Sequence, residues 1–317
     1  MSPLRIIFIG TAELACASLD ALNKWVECEV VAVVTQPDKP KGRDLKLQPS
    51  PVKKLALELN LPVLQPEKAR APDFVAALRG LTPDLIVVVA YGQILPQAVL
   101  DLPQLGCLNV HTSLLPKYRG AAPIQWAILD DQRQTGVTIM KMDAGLDTGD
   151  ILTQSVTPIH PTDDAQTLHN RLALIGAELL IETIPNFAAG TIVAQKQPIE
   201  GSSYARKISK DDGKLNWSEP ARKLWNQIRA FTPWPGAFTF QKAGASKRLL
   251  KIWQAEPMES SSAEPGTVLA ADKTGIVVAC GKDSLRLLNL QREGGRRLSP
   301  QEFLAGNPLP PGSKFGE

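Results

Sequence analysis

A chain of 317 residues with 44% hydrophobic and 21% charged side chains has the profile of a soluble globular protein, long enough for one large domain or two ordinary ones. No run approaches the roughly 18 apolar residues of a membrane span. The four cysteines, 16, 28, 107 and 280, are scattered without a Cys-x-x-Cys pair, and only three histidines occur, which argues against disulfides, zinc and a histidine metal cluster. The N-terminus runs straight into an apolar strand with no secretory h-region or Arg-rich transit segment, so a cytoplasmic location is expected.

In chain order, Leu4 to Gly10 reads as a buried strand, Ala12 to Trp25 as a helix and Val30 to Thr35 as the next strand. Strand, glycine turn, helix, strand opens a doubly wound α/β sheet, although Gly10 lacks the further glycines of a dinucleotide fingerprint. Residues 36–51 hold four prolines and four basic groups and read as a long exposed loop. Val52 to Asn60 is a short helix. Asp84 to Ala90 is a central strand whose end, Val89-Ala90-Tyr91-Gly92, offers backbone groups to a flat heterocycle. Asp163 to Phe187 has helical spacing and an acidic start. Residues 190–207, with glycines, Pro198 and serines, read as a linker between a domain at 1–189 and another at 208–317. The latter begins with a helix at Pro220 to Ala230. Five short β-prone runs follow, at Ala237–Gln241, Leu249–Gln254, Gly266–Leu269, Ile276–Ala279 and Leu285–Leu290. They predict a small open barrel of OB type.

Two stretches carry the chemistry. Cys107 to Val110 is apolar except for Asn109 and ends a strand. Alternation puts Asn109 and His111 on one face, just before a loop of small residues, Gly-Ala-Ala-Pro123. A polar pair at the carboxyl end of a strand is where open α/β sheets place ligands. Val137 to Met140 is a second strand, followed by Met142-Asp-Ala-Gly-Leu-Asp-Thr-Gly-Asp150. One aspartate of that loop, set against His111, would fix the imidazole tautomer and favour its charged form. The EF-hand spacing is absent.

Charge is uneven. Net charge is +3 overall, but residues 191–317 hold 19 Lys/Arg against 12 Asp/Glu, a net +7. Residues 1–190 are at −4, and within them 36–54 carry six basic and two acidic groups. This asymmetry predicts a polyanionic partner touching one loop and the C-terminal part.

Asn109-Val110-His111, Ser113-Leu-Leu-Pro116, Arg119-Gly-Ala-Ala-Pro123 and Gly145-Leu-Asp-Thr-Gly-Asp150 together resemble the signature of the formyltransferases that use 10-formyltetrahydrofolate. The resemblance runs over nearly the whole chain, through Phe8-x-Gly10-Thr11, Thr35-Gln-Pro-Asp38, Gly42-Arg43, Pro49-Ser-Pro-Val-Lys53, Val87-Val-Val-Ala-Tyr-Gly92 and Phe231-x-Pro-Trp-Pro-Gly236. It is closest to the branch of the family that formylates methionyl-tRNA. Ala12-Glu13-Leu14 lacks the family's proline and phenylalanine, and Thr112 replaces a small residue; neither removes a catalytic group.

The resemblance implies a Rossmann-like formyltransferase domain followed by the OB-like barrel. It implies formyl transfer from 10-formyltetrahydrofolate to the α-amine of methionyl initiator tRNA, with no metal. Asn109, His111 and Asp147 take the catalytic positions, Asp147 orienting His111. Ser113, Leu114, Leu115, Pro116, Val89, Ala90 and Tyr91 would line the folate site. Lys39, Lys41, Arg43, Lys46, Arg206 and Lys207 would meet the tRNA, with Arg43 discriminating initiator from elongator. A monomer is expected. The alternatives are a formyltransferase acting on a nucleotide-linked amino sugar, a formyltetrahydrofolate hydrolase and, in a different class, a non-catalytic tRNA-binding protein. The basic loop and C-terminal part favour tRNA, and the intact trio favours catalysis.

Overall fold

A computed structural model describes residues 3–41, 46–243, 246–259 and 263–316. The chain divides into two compact units. The first is Met1–Pro123 with Gln134–Pro158 and His169–Arg206; the second is Ile124–Arg133 with Ile159–Leu168 and Lys207–Glu317.

The first unit is built on strand β1 (Leu4–Gly10), helix α1 (Leu14–Lys24) and strand β2 (Cys28–Val34). Ile6, Ile7, Phe8 and Ile9 of β1 are fully buried, the continuous apolar run of a strand covered on both faces. A hairpin of β3 (Lys39–Lys41) and β4 (Lys46–Gln48) comes next, where the sequence predicts only a loop. It forms a separate two-stranded sheet in which Pro40 faces Leu47, the edge position that a residue without an N–H tolerates.

Helix α2 (Pro51–Glu58) starts on Ser50, whose hydroxyl accepts the Lys53 amide, with proline at its first position. Then follow β5 (Val63–Leu64), α3 (Pro72–Gly80), β6 (Leu85–Val89), α4 (Gln97–Leu100), β7 (Cys107–His111) and β8 (Arg119–Gly120). After them come α5 (Pro123–Leu129), β9 (Gln134–Lys141), β10 (Ile151–Pro158), α6 (Ala165–Ala188) and β11 (Tyr204–Ala205).

The main sheet has the order β10-β9-β7-β6-β1-β2-β5. Strands β5, β2, β1, β6 and β7 are parallel, while β9 and β10 close one edge antiparallel. Ile7, Ile9, Ile86 and Val88 pack with Phe74 and Leu78 of α3 and Val99 of α4. The alternate residues face the other side, where α1 meets β2 and β6. The chain order reverses between β1 and β6, and the crevice beyond the carboxyl ends at such a switch point is where this architecture binds ligands.

In the second unit α7 (Ala221–Ala230) precedes β12 (Ala237–Ala243), β13 (Ser246–Met258), β14 (Val268–Asp272), β15 (Gly275–Ala279), β16 (Ser284–Arg292), β17 (Arg297–Leu298) and α8 (Pro300–Ala305). The antiparallel order is β12-β13-β16-β15-β14, with β17 on β16. The C-terminal residues bridge the two outer strands: Phe315 donates to the Gly266 carbonyl, Gly316 to that of Phe240, and Val268 to that of Ser313. Closing the edges in this way removes unpaired backbone from the rim. Inside lie Trp217, Leu224, Ile228, Ile252, Val278, Leu287 and Phe303. Among the described residues no helix is long and apolar enough to cross a membrane.

Candidate active site

Asn109 and His111 sit at the carboxyl end of β7, opposite Met140 and Thr138 of β9. Both are buried, with 8% and 6% of their surface exposed. His111 Nε2 lies 2.9 Å from the Tyr118 carbonyl oxygen. A carbonyl only accepts, so Nε2 carries the proton and Nδ1 is the nitrogen that faces Asp147, whose Oδ2 is 3.7 Å away. The hydrogen bond that sets the tautomer is therefore donated to a backbone carbonyl, while the carboxylate supplies charge at a slightly longer range.

Asp147 is held from two sides. Its Oδ2 accepts the Gly120 amide at 2.7 Å, and its Oδ1 accepts Asn109 Nδ2 at 3.4 Å. Three of the seven described non-glycine residues with positive φ are here: Ala90 at 45°, Tyr118 at 61° and Asp147 at 52°. Such conformations cost of order 1–3 kcal/mol each and persist where the surroundings enforce them, typically at functional sites. Gly120 has φ of 107°, and a Cβ there would stand 2.7 Å from a Tyr204 ring carbon and 2.8 Å from the Ala205 carbonyl oxygen. Gly120→Ala should therefore push β8 off β11 and withdraw the amide from Asp147. We expect turnover to fall about 10²-fold, the scale of a misplaced catalytic group, in a protein that still unfolds cooperatively. Wild-type turnover in that variant would show that the Gly120 contact is dispensable.

The trio borders a cavity of about 620 Å³, within the range of small-molecule sites. Ala90, Tyr91, Met140 and Met142 contribute to its wall, and Ile94 and Leu146 lie at it while 84% and 51% exposed. Apolar side chains left uncovered beside a polar trio suit a ligand with a flat apolar body. The positive φ of Ala90 and Gly92 turns the chain sharply along that wall. The Tyr91 carbonyl behind it accepts from Thr11 Oγ1 at 2.9 Å and Gln36 Nε2 at 2.8 Å. Burial pushes the Tyr91 phenol up to about 12, so it stays neutral.

Of the residues expected to line a folate site, Ala90 and Tyr91 border the cavity. Val89 is fully buried in β6, and Ser113, Leu114, Leu115 and Pro116 follow Thr112 of the wall without lining the cavity themselves. They shape the loop that presents Tyr118: Ser113 Oγ donates to the Lys117 carbonyl, and Thr138 Oγ1 ties the Ser113 carbonyl to the Leu115 amide.

Lys39 is exposed and donates to Gln36 Oε1. Lys41 and Lys46 are backbone partners in the β3–β4 register, and Arg43 lies outside the described residues. Arg206 and Lys207 are exposed just after β11. At the base of the hairpin Asp38 binds Lys53 at 2.7 Å and Gln65 at 2.7 Å. Hydrogen bonds from Lys53 and then Gln65 hold the Asp38 carboxyl below the usual carboxylate range. Gln36 thus joins the basic hairpin to the cavity wall. Tyr118, Gly120 and Gln36 were not legible as site residues, because Tyr118 and Gly120 act through backbone atoms and Gln36 through a backbone acceptor. Among the described residues no group of three or more His, Cys, Asp or Glu side chains is arranged to hold a metal ion.

The family model for formyl transferase matches residues 4–184, and that for the formyl transferase C-terminal domain matches 207–308. Methionyl-tRNA formyltransferase of Geobacter metallireducens is 50% identical over 316 residues, covering 100% of both chains. The enzyme of that name from Caldanaerobacter subterraneus is 47% identical over 311 residues, covering 98% of this chain and 99% of its own. Among solved structures, HypX from Aquifex aeolicus in complex with tetrahydrofolic acid aligns with a TM-score of 0.63 at 19% identity, over 96% of this chain and 48% of that one. An N-formyltransferase from Helicobacter canadensis, in complex with folinic acid and dTDP-3-aminofucose, aligns with a TM-score of 0.61 at 22% identity, over 90% and 99%. At these identities the two structures establish a shared fold.

Proposed function

The chain belongs to the formyl transferase family, and from that membership we propose that it carries the formyl group of 10-formyltetrahydrofolate to the α-amine of methionine on initiator tRNA. The observation that carries the reading is the meeting of Asn109, His111 and Asp147 at one cavity with a largely apolar wall. Ala90 and Tyr91 would hold the flat heterocycle of the folate against Met140 and Met142. The folate supplies the activated formyl group; this chain supplies donors, a proton carrier and exclusion of water.

With Nε2 committed to Tyr118, only Nδ1 of His111 can exchange a proton with substrate. As an amine adds to a formyl carbon, negative charge grows on the carbonyl oxygen. The second amide hydrogen of Asn109 and the protonated Nδ1 are the preorganised donors for it. Asp147 stabilises the positive imidazolium while Nδ1 holds the proton. Nδ1 gives that proton to the leaving nitrogen as general acid and takes up the proton that the attacking amine nitrogen releases, which restores the imidazolium. All three side chains come from one chain, and we infer a monomer. The four cysteines are free thiols, in keeping with a reducing cytoplasm. We retain the division into a catalytic domain at 1–189, a connecting segment at 190–207 and a tRNA-binding domain at 208–317.

The basic hairpin and the net charge of +7 over residues 191–317 support RNA as the acceptor. The test is formyl transfer from labelled 10-formyltetrahydrofolate to methionylated initiator and elongator tRNA. Label should appear on the methionine of the initiator; a protein that labels neither tRNA contradicts the reading. Arg43→Ala should reduce kcat/KM for the initiator by roughly 10- to 100-fold, the scale of one specific base contact, and bring the two tRNAs closer together. Lys46→Ala should weaken both equally and flatten the salt dependence. An equal loss on both tRNAs in Arg43→Ala would make Arg43 a phosphate contact only.

A further inference from the structure

We propose that Gln197 is a positioning residue for Asp147, fixing the aspartate's backbone and the strand whose amide grips its carboxylate; the inference rests on the formyl-transfer reading of the same site. The side-chain amide of Gln197 is fully used. Its Nε2 donates to the Asp147 carbonyl at 2.9 Å and to the Gly149 carbonyl at 2.7 Å. Its Oε1 accepts Arg119 Nε at 3.0 Å and Nη2 at 2.7 Å. The residue after Arg119 is Gly120, whose amide holds Asp147 Oδ2. One side chain therefore touches both supports of the catalytic carboxylate, without itself bordering the cavity.

The segment that carries Gln197 is firmly placed. Gln195 exchanges two 2.8 Å backbone bonds with Ile151. Ser203 takes the Tyr118 amide on its hydroxyl and the Arg119 amide on its carbonyl, and the Ala205 carbonyl takes the Ala121 amide. The Asp147 loop has little freedom to relax elsewhere, since any Cβ at Gly149 would collide with the Lys141 carbonyl oxygen. What holds Asp147 in its left-handed conformation, φ 52°, is thus an amide that caps its own carbonyl and the carbonyl two residues on. Without those two N–H donors the carbonyls lose their partner and the carboxylate is free to swing from Nδ1 of His111. An apolar side chain in its place also leaves the Arg119 guanidinium without its acceptor.

Two variants separate these contacts. Gln197→Glu keeps the size and the Arg119 contact but replaces the donor nitrogen with one oxygen facing two carbonyls. Gln197→Met keeps the size and removes everything polar. Each full-length variant is assayed with 10-formyltetrahydrofolate and methionyl initiator tRNA, alone and in an Asp147→Asn background, with thermal unfolding and tetrahydrofolate binding by calorimetry alongside. Expected are a fall in kcat of about 10- to 100-fold, KM and folate affinity within about twofold of wild type, and no further fall in the Asp147→Asn background. Turnover within twofold of wild type overturns the proposal. So does the same fractional loss in the Asp147→Asn background, which would mean that Gln197 acts independently of Asp147, and so does loss of cooperative unfolding in both variants. Wild-type protein that transfers no formyl group in the same assay removes the reading of function, and the inference with it, before any variant is compared.

Discussion

His111→Ala is expected to lower kcat by about 10²–10⁴, the usual contribution of a positioned general acid–base, with folate affinity within a few-fold of wild type. The expectation follows from which nitrogen is available. The Tyr118 carbonyl holds Nε2–H at 2.9 Å, leaving Nδ1 as the only exchangeable site, 3.7 Å from the Asp147 carboxylate. Alanine removes that site and the His111 donor to the Tyr118 carbonyl. The variant should also lose some stability, on the scale of about 0.5–1.5 kcal/mol for one buried hydrogen bond. Measuring kcat, folate affinity and thermal unfolding together separates the two losses. Near-wild-type turnover would remove His111 from the chemistry. A loss confined to folate affinity would move it to the binding wall.

Asn109→Asp is expected to be at least as damaging as Asn109→Ala, for which a loss of one preorganised donor predicts a fall in kcat of about 10²–10³. The two side chains are nearly isosteric, so shape is not the issue. Asn109 Nδ2 lies 3.4 Å from Asp147 Oδ1, and a carboxylate at 109 would place two like charges in a partly buried pocket. One of them would have to take up a proton or turn away. The donor proposed for the formyl oxygen would become an acceptor that repels it. The readout is kcat for both variants between pH 6 and 9. If the aspartate variant is more active than the alanine variant at the upper end of that range, the amide is not donating to a developing negative charge.

Much of this site was legible in the chain, for physical reasons that can be located. Period-two alternation is rigid along a strand, so Asn109-x-His111 at the end of an apolar run fixes two side chains on one face. The fully apolar β1 and β6 announce a sheet covered on both sides. Five of the six described strands of the second unit showed themselves through regular turn signals, β12, β13 and β16 extending beyond their apolar runs, while β17 did not. The pairing of 39–41 with 46–48 was hidden because Pro40 and the lysines contradict strand composition; a two-stranded edge tolerates both. The acidic loop at 143–150 offered three aspartates, and spacing alone did not choose among them. Asp143 is used locally, accepting Thr148 Oγ1 and the Gly145 amide, and only Asp147 reaches His111. The least legible contributors are Tyr118 and Gly120, which act through a carbonyl and an amide common to every residue type. The segment at 190–207 looks like a connector because glycine, proline and serine are frequent in it. Those residues leave the backbone free to be stitched along 118–122 and 147–151, and it is.

The trio of Asn109, His111 and Asp147 is proposed to serve formyl transfer to an RNA-borne amine. The most direct test is kcat/KM for three acceptors measured in parallel with the same 10-formyltetrahydrofolate: methionyl initiator tRNA, a nucleotide-linked amino sugar, and water. The tRNA is expected to exceed the other two by at least about 10³-fold, the discrimination open to a site built around specific polar contacts, and His111→Ala to abolish that advantage through kcat. Faster transfer to the amino sugar, or hydrolysis that matches transfer to the tRNA, would contradict it.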